Sequence, residues 1–165
     1  MTQRRFHPET LAIHAGQVPD RETGARALPI YQTTSFVFDS AEHAAQLFNL
    51  QTFGNVYSRL SNPTVAALEE RVAALEGGRA AVACASGMAA EAMALMTLLQ
   101  AGDHVVAAGA LYGGSVTMLS VNLAKFGIET TFVDATQPDA WAAAVKPNTR
   151  AFFAESLGNP SLVVL

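Results

Sequence analysis

The stretch Ser86–Gly114, SGMAAEAMALMTLLQAGDHVVAAGALYGG, places a predicted helix and a predicted buried strand between two glycine-containing turns. Ala89–Leu99 is apolar over the length of a helix, which can stop at Gly102. His104–Ala108 is a short apolar run of strand length, and Gly109–Gly114 then forms a loop. Helices that alternate with short apolar strands are typical of a parallel sheet covered by helices.

The same alternation continues on both sides of this stretch. Asn62 can cap a helix that begins at Pro63 and stops at Gly77 and Gly78. Three more strands are predicted at Ala80–Ala85, Glu129–Val133 and Arg150–Glu155, and two more helices at Ser115–Phe126 and Asp139–Val145. We therefore expect residues 61–165 to form an α/β domain with a mostly parallel sheet flanked by helices.

Residues 1–60, here called the N-terminal arm, have a different character. Pro, Gly, Thr and charged residues are mixed, and one helix is indicated, which Asp39 or Ser40 can cap. Because so long a structureless stretch is improbable inside a compact domain, we expect the arm to contact a neighbouring subunit. Its exposed apolar residues would be buried there: Ile30, Tyr31, Phe36, Val37 and Phe38.

Composition excludes several classes of protein. Of the 165 residues, 50% are hydrophobic, 15% are charged and the net charge is -4. The apolar content excludes a disordered chain, and ten basic against fourteen acidic residues do not make a nucleic-acid-binding surface. No apolar stretch approaches the roughly 20 residues that cross a membrane. The single cysteine, Cys84, cannot form an internal disulfide, so we expect a cytoplasmic protein.

Two of the predicted strands lead into loops that suit a ligand, because ligands of open α/β sheets bind at the carboxyl ends of the strands. After the predicted strand Ala80–Ala85, a helix begins at Ser86, Gly87 and Met88. Its free backbone N–H groups indicate an anion site for a phosphate. The alternative is an ordinary strand-to-helix turn. Tyr112, beside two glycines, has a face free to stack on a planar ligand, although a half-buried core tyrosine remains an alternative.

The third strand end and the arm add further candidates. Glu155 and Asn159 can hydrogen-bond the substituents of a heteroaromatic ring, or alternatively form a cap and a turn. Tyr57 and Arg59, two residues apart on an extended strand, point the same way and can clamp a phosphate, unless Arg59 is simply solvated. The four histidines show no metal-ligand spacing, so no metal site is expected.

Taken together, these residues resemble the Cys/Met-metabolism family of pyridoxal-phosphate enzymes, which have fold type I. The resemblance extends through essentially the whole chain, and its motifs follow the order of the family. They are Thr10–Gln17, Ala27–Phe36, Tyr57-Ser-Arg59, Ser61–Thr64, Leu75–Gly78, Ser86–Ala90, Leu111–Gly114 and Gly158–Pro160.

The resemblance implies roles for these candidates. The cofactor would be pyridoxal 5'-phosphate, with its phosphate held by Ser86 and the amides of Gly87 and Met88. Tyr112 would stack on the pyridine ring and act as a catalytic residue in proton transfer. The remaining cofactor-binding residues would be Asn159 at the phenolic oxygen, Glu155 in support, and Tyr57 and Arg59 at the phosphate of a neighbouring subunit.

Family members are more than twice as long as this chain, so residues 61–165 correspond to the first part of the cofactor-binding domain. The lysine that binds the cofactor covalently would lie beyond Leu165. Lys125 and Lys146, the two lysines present, precede Gly127 and Pro147 at predicted helix ends, and neither is a plausible substitute. The 165 residues alone are therefore expected to be inactive.

The resemblance implies a γ-replacement enzyme of methionine or cysteine biosynthesis, which makes L-homocysteine and acetate from O-acetyl-L-homoserine and sulfide. The partners would be these small molecules and further copies of the chain, as a dimer of dimers, with neither nucleic acid nor membrane. Cystathionine γ-synthase or methionine γ-lyase activity is the alternative within the family, and Gly114 argues against the lyase branch. A non-catalytic interaction module is an alternative of another class.

Overall fold

The computed structural model describes residues 6–165, so residues 1–5 of the predicted arm lie outside the described part. The chain divides into two compact units, of which the first ends at Ala83 and the second comprises Cys84–Leu165. Among the helices of residues 6–165, none is both long enough and apolar enough to span a membrane. The predicted contact of the arm with a neighbouring subunit stays a prediction.

The first unit contains three helices joined by extended segments and turns. They are α1 (Pro8–His14), α2 (Ala41–Phe48) and α3 (Pro63–Glu76). The predicted caps of α2 and α3 are confirmed. The Ser40 hydroxyl accepts from the His43 N–H at 3.0 Å, and the Asn62 side chain accepts from the Thr64 N–H at 2.9 Å. Helix α3 ends where Gly77 turns into the left-handed region, at φ 67°.

Helix α1 was not among the predicted elements, and tertiary contacts account for it. The chain leaves α1 through Gly16, where a β-carbon would lie 2.3 Å from the carbonyl oxygen of Ala67 in α3. The Arg71 Nε donates to the carbonyl of Ala15 at 2.9 Å. A helix of seven residues is not stable by itself, so packing on α3 rather than local propensity forms it.

The Asn62 side chain ties parts of the arm to the beginning of α3. It is 6% exposed, and its Nδ2 donates to the Tyr31 carbonyl at 2.9 Å and to the Ser58 hydroxyl at 3.0 Å. The Tyr31 N–H in turn donates to the Thr64 hydroxyl at 2.9 Å. These bonds hold in place the segments before and after α2, which have no regular secondary structure there.

The second unit has the alternating architecture that the sequence predicts. Its elements are α4 (Gly87–Leu98), β1 (His104–Ala108), α5 (Gly113–Thr117), β2 (Glu129–Val133), α6 (Pro138–Ala143) and β3 (Thr149–Phe153). The three strands form one sheet in the order β2-β1-β3, and both pairs are parallel. All five residues of β1 are buried. The predicted parallel α/β layer is thus confirmed for these strands.

A single apolar cluster fills the second unit between the sheet and the helices that precede and follow β1. Helix α4 contributes Leu95, and the segment after α5 contributes Leu119 and Leu123. These side chains pack with Val105 and Ala107 of β1. Burial of each large side chain contributes roughly 1.5–3 kcal/mol, so this cluster fixes the two helical segments against the sheet.

Two predicted elements differ in the structure. Ala80–Ala85 is not a strand, because among the described residues no strand pairs with it and alanine has little preference for sheets. The predicted helix Ser115–Phe126 begins earlier, as α5, and continues as a π-helical turn over Met118–Asn122 and a 3₁₀ turn over Leu123–Phe126. Cys84, predicted to be buried in a strand, is partly exposed instead.

His104 joins the three strands at the edge where β1 begins. Its side chain is fully buried, and its Nδ1 and Nε2 lie 2.8 Å from the hydroxyl oxygens of Thr149 in β3 and Thr131 in β2. Burial lowers the pKa of His104, Lys146 lowers it further and Glu129 opposes the shift. The imidazole is therefore held neutral between two hydroxyl groups.

We expect this burial to make stability depend on pH. Because the pKa of His104 is lower in the folded than in the unfolded protein, protonation favours unfolding, and stability is lost as pH falls from about 7 to about 5. The measurement is the free energy of unfolding in urea across this range. His104→Gln, which keeps a donor and an acceptor, should flatten the pH dependence, whereas His14→Gln at an exposed position should not. Equal slopes in the wild type and His104→Gln would contradict the assignment.

Candidate cofactor site

The parallel pairing of β1 with β3 brings two of the predicted site residues together. Tyr112 follows the carboxyl end of β1, and Glu155 follows the carboxyl end of β3. The Glu155 Oε1 accepts a hydrogen bond from the Tyr112 backbone N–H at 2.9 Å, across 43 residues of sequence. The edge of the sheet at which α/β proteins bind ligands is therefore organised around the Tyr112 backbone.

The Tyr112 ring lies over Gly114 and is 49% exposed. A β-carbon on Gly114 would come within 2.5 Å of the ring Cε1 and 3.1 Å of the Met88 sulfur. The ring and the first turn of α4 therefore share the space that this glycine leaves open. The predicted stacking of this ring on a planar ligand stays a prediction.

The beginning of α4 leaves hydrogen-bond donors free. Ser86 is the cap, and its hydroxyl oxygen accepts from the Ala89 N–H at 3.1 Å while its carbonyl accepts from Ala90. The amides of Gly87 and Met88, at the first two helical positions, have no intrahelical acceptor. Nothing lies within 4 Å of the place where a β-carbon on Gly87 would be. This open cradle at the positive end of a twelve-residue helix fits a phosphate group.

The sequence analysis missed one pair that connects these elements. Ser115, in α5, is fully buried, and its hydroxyl donates to the Glu91 Oε2 at 2.8 Å. Glu91 is the only acidic residue within the apolar helix α4. That isolated carboxylate was the available signal, but its partner lies on another helix and is not visible in local spacing.

Asn159 is exposed and lies beyond Glu155 on the same loop. The preceding Gly158 is buried, and a β-carbon there would lie 2.8 Å from the Ala110 carbonyl. The loop after β3 is thus packed closely against the loop after β1, while Asn159 is exposed. Its predicted role at the phenolic oxygen of the cofactor stays a prediction.

Tyr57 and Arg59 belong to the first unit, and their side chains are in contact. The Arg59 guanidinium carbon lies 4.8 Å from the centre of the Tyr57 ring, a cation–π distance. The predicted extended strand through them is wrong after Tyr57, which pairs with Ser35 in an isolated bridge before the chain turns. The Tyr57 carbonyl accepts from the Leu60 N–H at 2.8 Å and thereby closes the turn. The two side chains nevertheless lie together, with Arg59 exposed.

The two lysines lie away from this candidate site. Lys146 Nζ lies 3.1 Å from the Glu129 carboxylate, at the residue that begins β2. Lys125 lies in the 3₁₀ turn before Gly127, whose carbonyl accepts from the Gly102 N–H just before β1. Both therefore belong to the edge where the strands begin, opposite to Tyr112. Within residues 6–165, no group of three or more histidine, cysteine or acidic side chains could hold a metal ion.

The class of this protein follows from a family comparison. The model of the Cys/Met metabolism PLP-dependent enzymes matches residues 9–165, and the chain belongs to that family. The predicted family and α/β class are thereby confirmed.

Comparison with individual proteins shows which members of the family this chain is similar to. The chain is 54% identical over 162 residues to the O-acetyl-L-homoserine sulfhydrylase of Leptospira meyeri, covering 98% of this chain and 37% of the relative. It is 56% identical over 158 residues to the O-acetyl-L-homoserine sulfhydrylase of Corynebacterium glutamicum, covering 95% of this chain and 36% of the relative. An L-methionine gamma-lyase of Fusobacterium nucleatum is 46% identical over 165 residues, covering all of this chain and 42% of the relative.

Among solved structures, a putative O-acetylhomoserine (thiol)-lyase from Campylobacter jejuni superposes with a TM-score of 0.90 at 42% identity. The match covers 97% of this chain and 39% of that chain, which contains N'-pyridoxyl-lysine-5'-monophosphate. The chain thus spans little more than a third of the length of the sulfhydrylases that it matches.

The close approach at Gly114 gives a test of the ring position. Gly114→Ala should displace the Tyr112 ring, because the new methyl group would overlap it, while the ring can swing away without unfolding the unit. The measurement is the nuclear Overhauser effect between the Tyr112 ring protons and the Met88 methyl group. Gly113→Ala is the matched control, since nothing lies within 4 Å of its β-carbon position. An unchanged Overhauser effect in Gly114→Ala would show that the ring lies elsewhere.

Proposed function

We propose that this chain supplies the phosphate-facing and ring-facing side of a pyridoxal 5'-phosphate site in an O-acetyl-L-homoserine sulfhydrylase. The reaction is γ-replacement, in which O-acetyl-L-homoserine and sulfide give L-homocysteine and acetate. The observation that carries the proposal is the assembly of the free amides of α4, the Met88 side chain and the half-exposed Tyr112 ring in one unit. The sulfhydrylases from Leptospira meyeri and Corynebacterium glutamicum support the choice within the family.

The phosphate is held by the beginning of α4. The N–H groups of Gly87 and Met88 point out of the helix, and the Ser86 hydroxyl, which accepts from Ala89, still has its own hydrogen to donate. These three donors and the helix dipole stabilise a dianion without a cationic side chain. The open space beside Gly87 lets the phosphate approach the backbone.

The ring is held by the loops after β1 and β3. When bound, pyridoxal phosphate supplies the electron sink that stabilises the carbanions of γ-replacement. The half-exposed Tyr112 ring would stack on the pyridine ring of the cofactor, and its hydroxyl would hold or move a proton of the substrate. The exposed Asn159 side chain would contact the phenolic oxygen of the cofactor.

Tyr57 and Arg59 act on the phosphate of a neighbouring subunit, in a homotetramer built as a dimer of dimers in the cytoplasm. The exposed Arg59 guanidinium, steadied by the Tyr57 ring, supplies the charge that α4 lacks. The arm supports such an assembly, since Ile30 is 83% exposed and Val37 is 97% exposed. Apolar side chains this exposed favour burial against another copy.

The phosphate contact is tested by removing one amide. Gly87→Pro deletes the N–H at the first helical position, where proline is tolerated, and Ser86 already has the extended backbone that precedes a proline. Affinity for pyridoxal 5'-phosphate should fall about tenfold or more, since a hydrogen bond to a charged group contributes roughly 1.5–3 kcal/mol. Equilibrium dialysis against pyridoxal 5'-phosphate and against pyridoxal measures the contribution of the phosphate.

Gly87→Ala is the control for this experiment, because it adds a methyl group in open space and keeps the N–H. The wild type and Gly87→Ala should prefer pyridoxal 5'-phosphate over pyridoxal, and Gly87→Pro should lose most of that preference. A wild type that binds both compounds equally would refute the phosphate site. The activity itself is tested with the product of the complete reading frame, by comparing homocysteine formation with release of methanethiol from methionine.

For the 165 residues alone we expect neither homocysteine formation nor covalent attachment of the cofactor. Lys146 is paired with Glu129, and both lysines lie at the edge opposite to Tyr112, so neither amine reaches a ring stacked there. The test is borohydride reduction with pyridoxal 5'-phosphate, followed by mapping of modified lysines. Stoichiometric labelling of Lys125 or Lys146 together with homocysteine production would overturn this expectation.

A further inference from the structure

We propose that Glu155 is a positioning residue for Tyr112, which it holds by its backbone, rather than a ligand of the cofactor ring. The proposal rests on the proposed function for the role of Tyr112, but the contact itself lies within this chain. A second carboxylate, Glu91, accepts from Ser115 at the end of the same loop. The Tyr112 loop, defined here as Gly109–Ser115, is thus held by acidic side chains at its middle residue, Tyr112, and at its last residue, Ser115.

The first contact is the one between the two strand ends. The Glu155 Oε1 accepts from the Tyr112 N–H at 2.9 Å, and this N–H belongs to the residue that caps α5. A carboxylate engaged with an amide donor is directed at the backbone. Next to the phenolic oxygen of a bound ring it would instead repel negative charge, so the backbone role suits its chemistry better.

The second contact closes the loop on the side of α4. The buried Ser115 hydroxyl donates to the Glu91 Oε2 at 2.8 Å, one turn after Gly87 at the beginning of α4. Removal of Glu91 would leave the fully buried Ser115 hydroxyl without this acceptor, which is unfavourable. This bond sets the distance between the phosphate end of α4 and the beginning of α5.

The loop needs such constraints because of its composition. Gly109, Gly113 and Gly114 give it great conformational freedom, and fixing a glycine backbone costs more entropy than fixing any other residue. The Tyr112 ring approaches Gly114 closely, since a β-carbon there would lie 2.5 Å from the ring Cε1. The orientation of the ring therefore depends on its backbone, and the backbone depends on Glu155.

The experiment observes the contact directly. In the 165-residue chain, exchange of the Tyr112 amide hydrogen with solvent is followed by ¹⁵N-resolved NMR at about pH 7. In Glu155→Ala, which removes the acceptor, this exchange should accelerate at least tenfold. In Glu155→Gln, whose amide oxygen can still accept, the exchange rate should stay within about threefold of the wild type.

The affinity for pyridoxal 5'-phosphate, measured by equilibrium dialysis, distinguishes positioning from general stability. Glu155→Ala should weaken the binding of pyridoxal 5'-phosphate by about tenfold, which is the smallest effect expected from loss of a hydrogen bond to a charged group. Glu155→Gln should bind the cofactor with an affinity within about threefold of the wild type. Glu129→Ala removes an exposed carboxylate at the opposite edge of the same sheet and should leave the affinity unchanged.

A Tyr112 amide that exchanges equally fast in the wild type and in Glu155→Ala would overturn the proposal. Equal cofactor affinity in the wild type and Glu155→Ala would also overturn it. If the wild type binds no pyridoxal 5'-phosphate while the Tyr112 amide exchanges faster in Glu155→Ala, the proposed function fails and the Glu155 contact stands.

Discussion

Strand β1 is the constraint on which the second unit depends, because it is buried along its whole length and pairs in parallel on both sides. Burial of Val105 and Val106 stabilises the unit by a few kcal/mol. Pairing with β1 then fixes both the direction and the position of the two neighbouring strands, β2 and β3. Parallel neighbours end at the same edge of the sheet. For that reason Tyr112 and Glu155 can share a hydrogen bond although 43 residues separate them.

The sequence predicted best those elements whose cause is local. β1 and β2 have the predicted bounds, since each is a short apolar or β-branched run between glycine and polar residues. The caps at Ser40 and Asn62 are likewise local hydrogen bonds. Ala80–Ala85 has the same apolar character but no partner strand among the described residues, and pairing is a property of two segments, not of one. Helix α1 was not predicted, because its stability comes from contacts with α3 and not from its own sequence.

The residues of the candidate site also divide into those that the local sequence predicts and those that depend on tertiary contacts. Ser86, Gly87 and Met88 could be predicted as free donors because a cap followed by a helix leaves them so wherever it occurs. The partners of acidic residues could not be predicted. Glu155 was expected to support a cofactor ring, and its hydrogen bond with the Tyr112 amide was not predicted; nor was the bond between Glu91 and Ser115. Both bonds join elements that become neighbours only once the sheet has formed.

A carboxylate close to the proposed phosphate site opposes the binding of a dianion by charge repulsion. Glu91 follows Gly87 by four residues, about 6 Å along a helix, so an uncompensated charge there would weaken the binding of a dianion. Each carboxylate is instead engaged by a donor, Glu91 by the Ser115 hydroxyl and Glu155 by the Tyr112 amide. Their charge is thus partly compensated by groups that are held in place. The amides of Gly87 and Met88, at the first two helical positions, have no intrahelical acceptor, so the beginning of α4 keeps the unpaired donors that an anion requires.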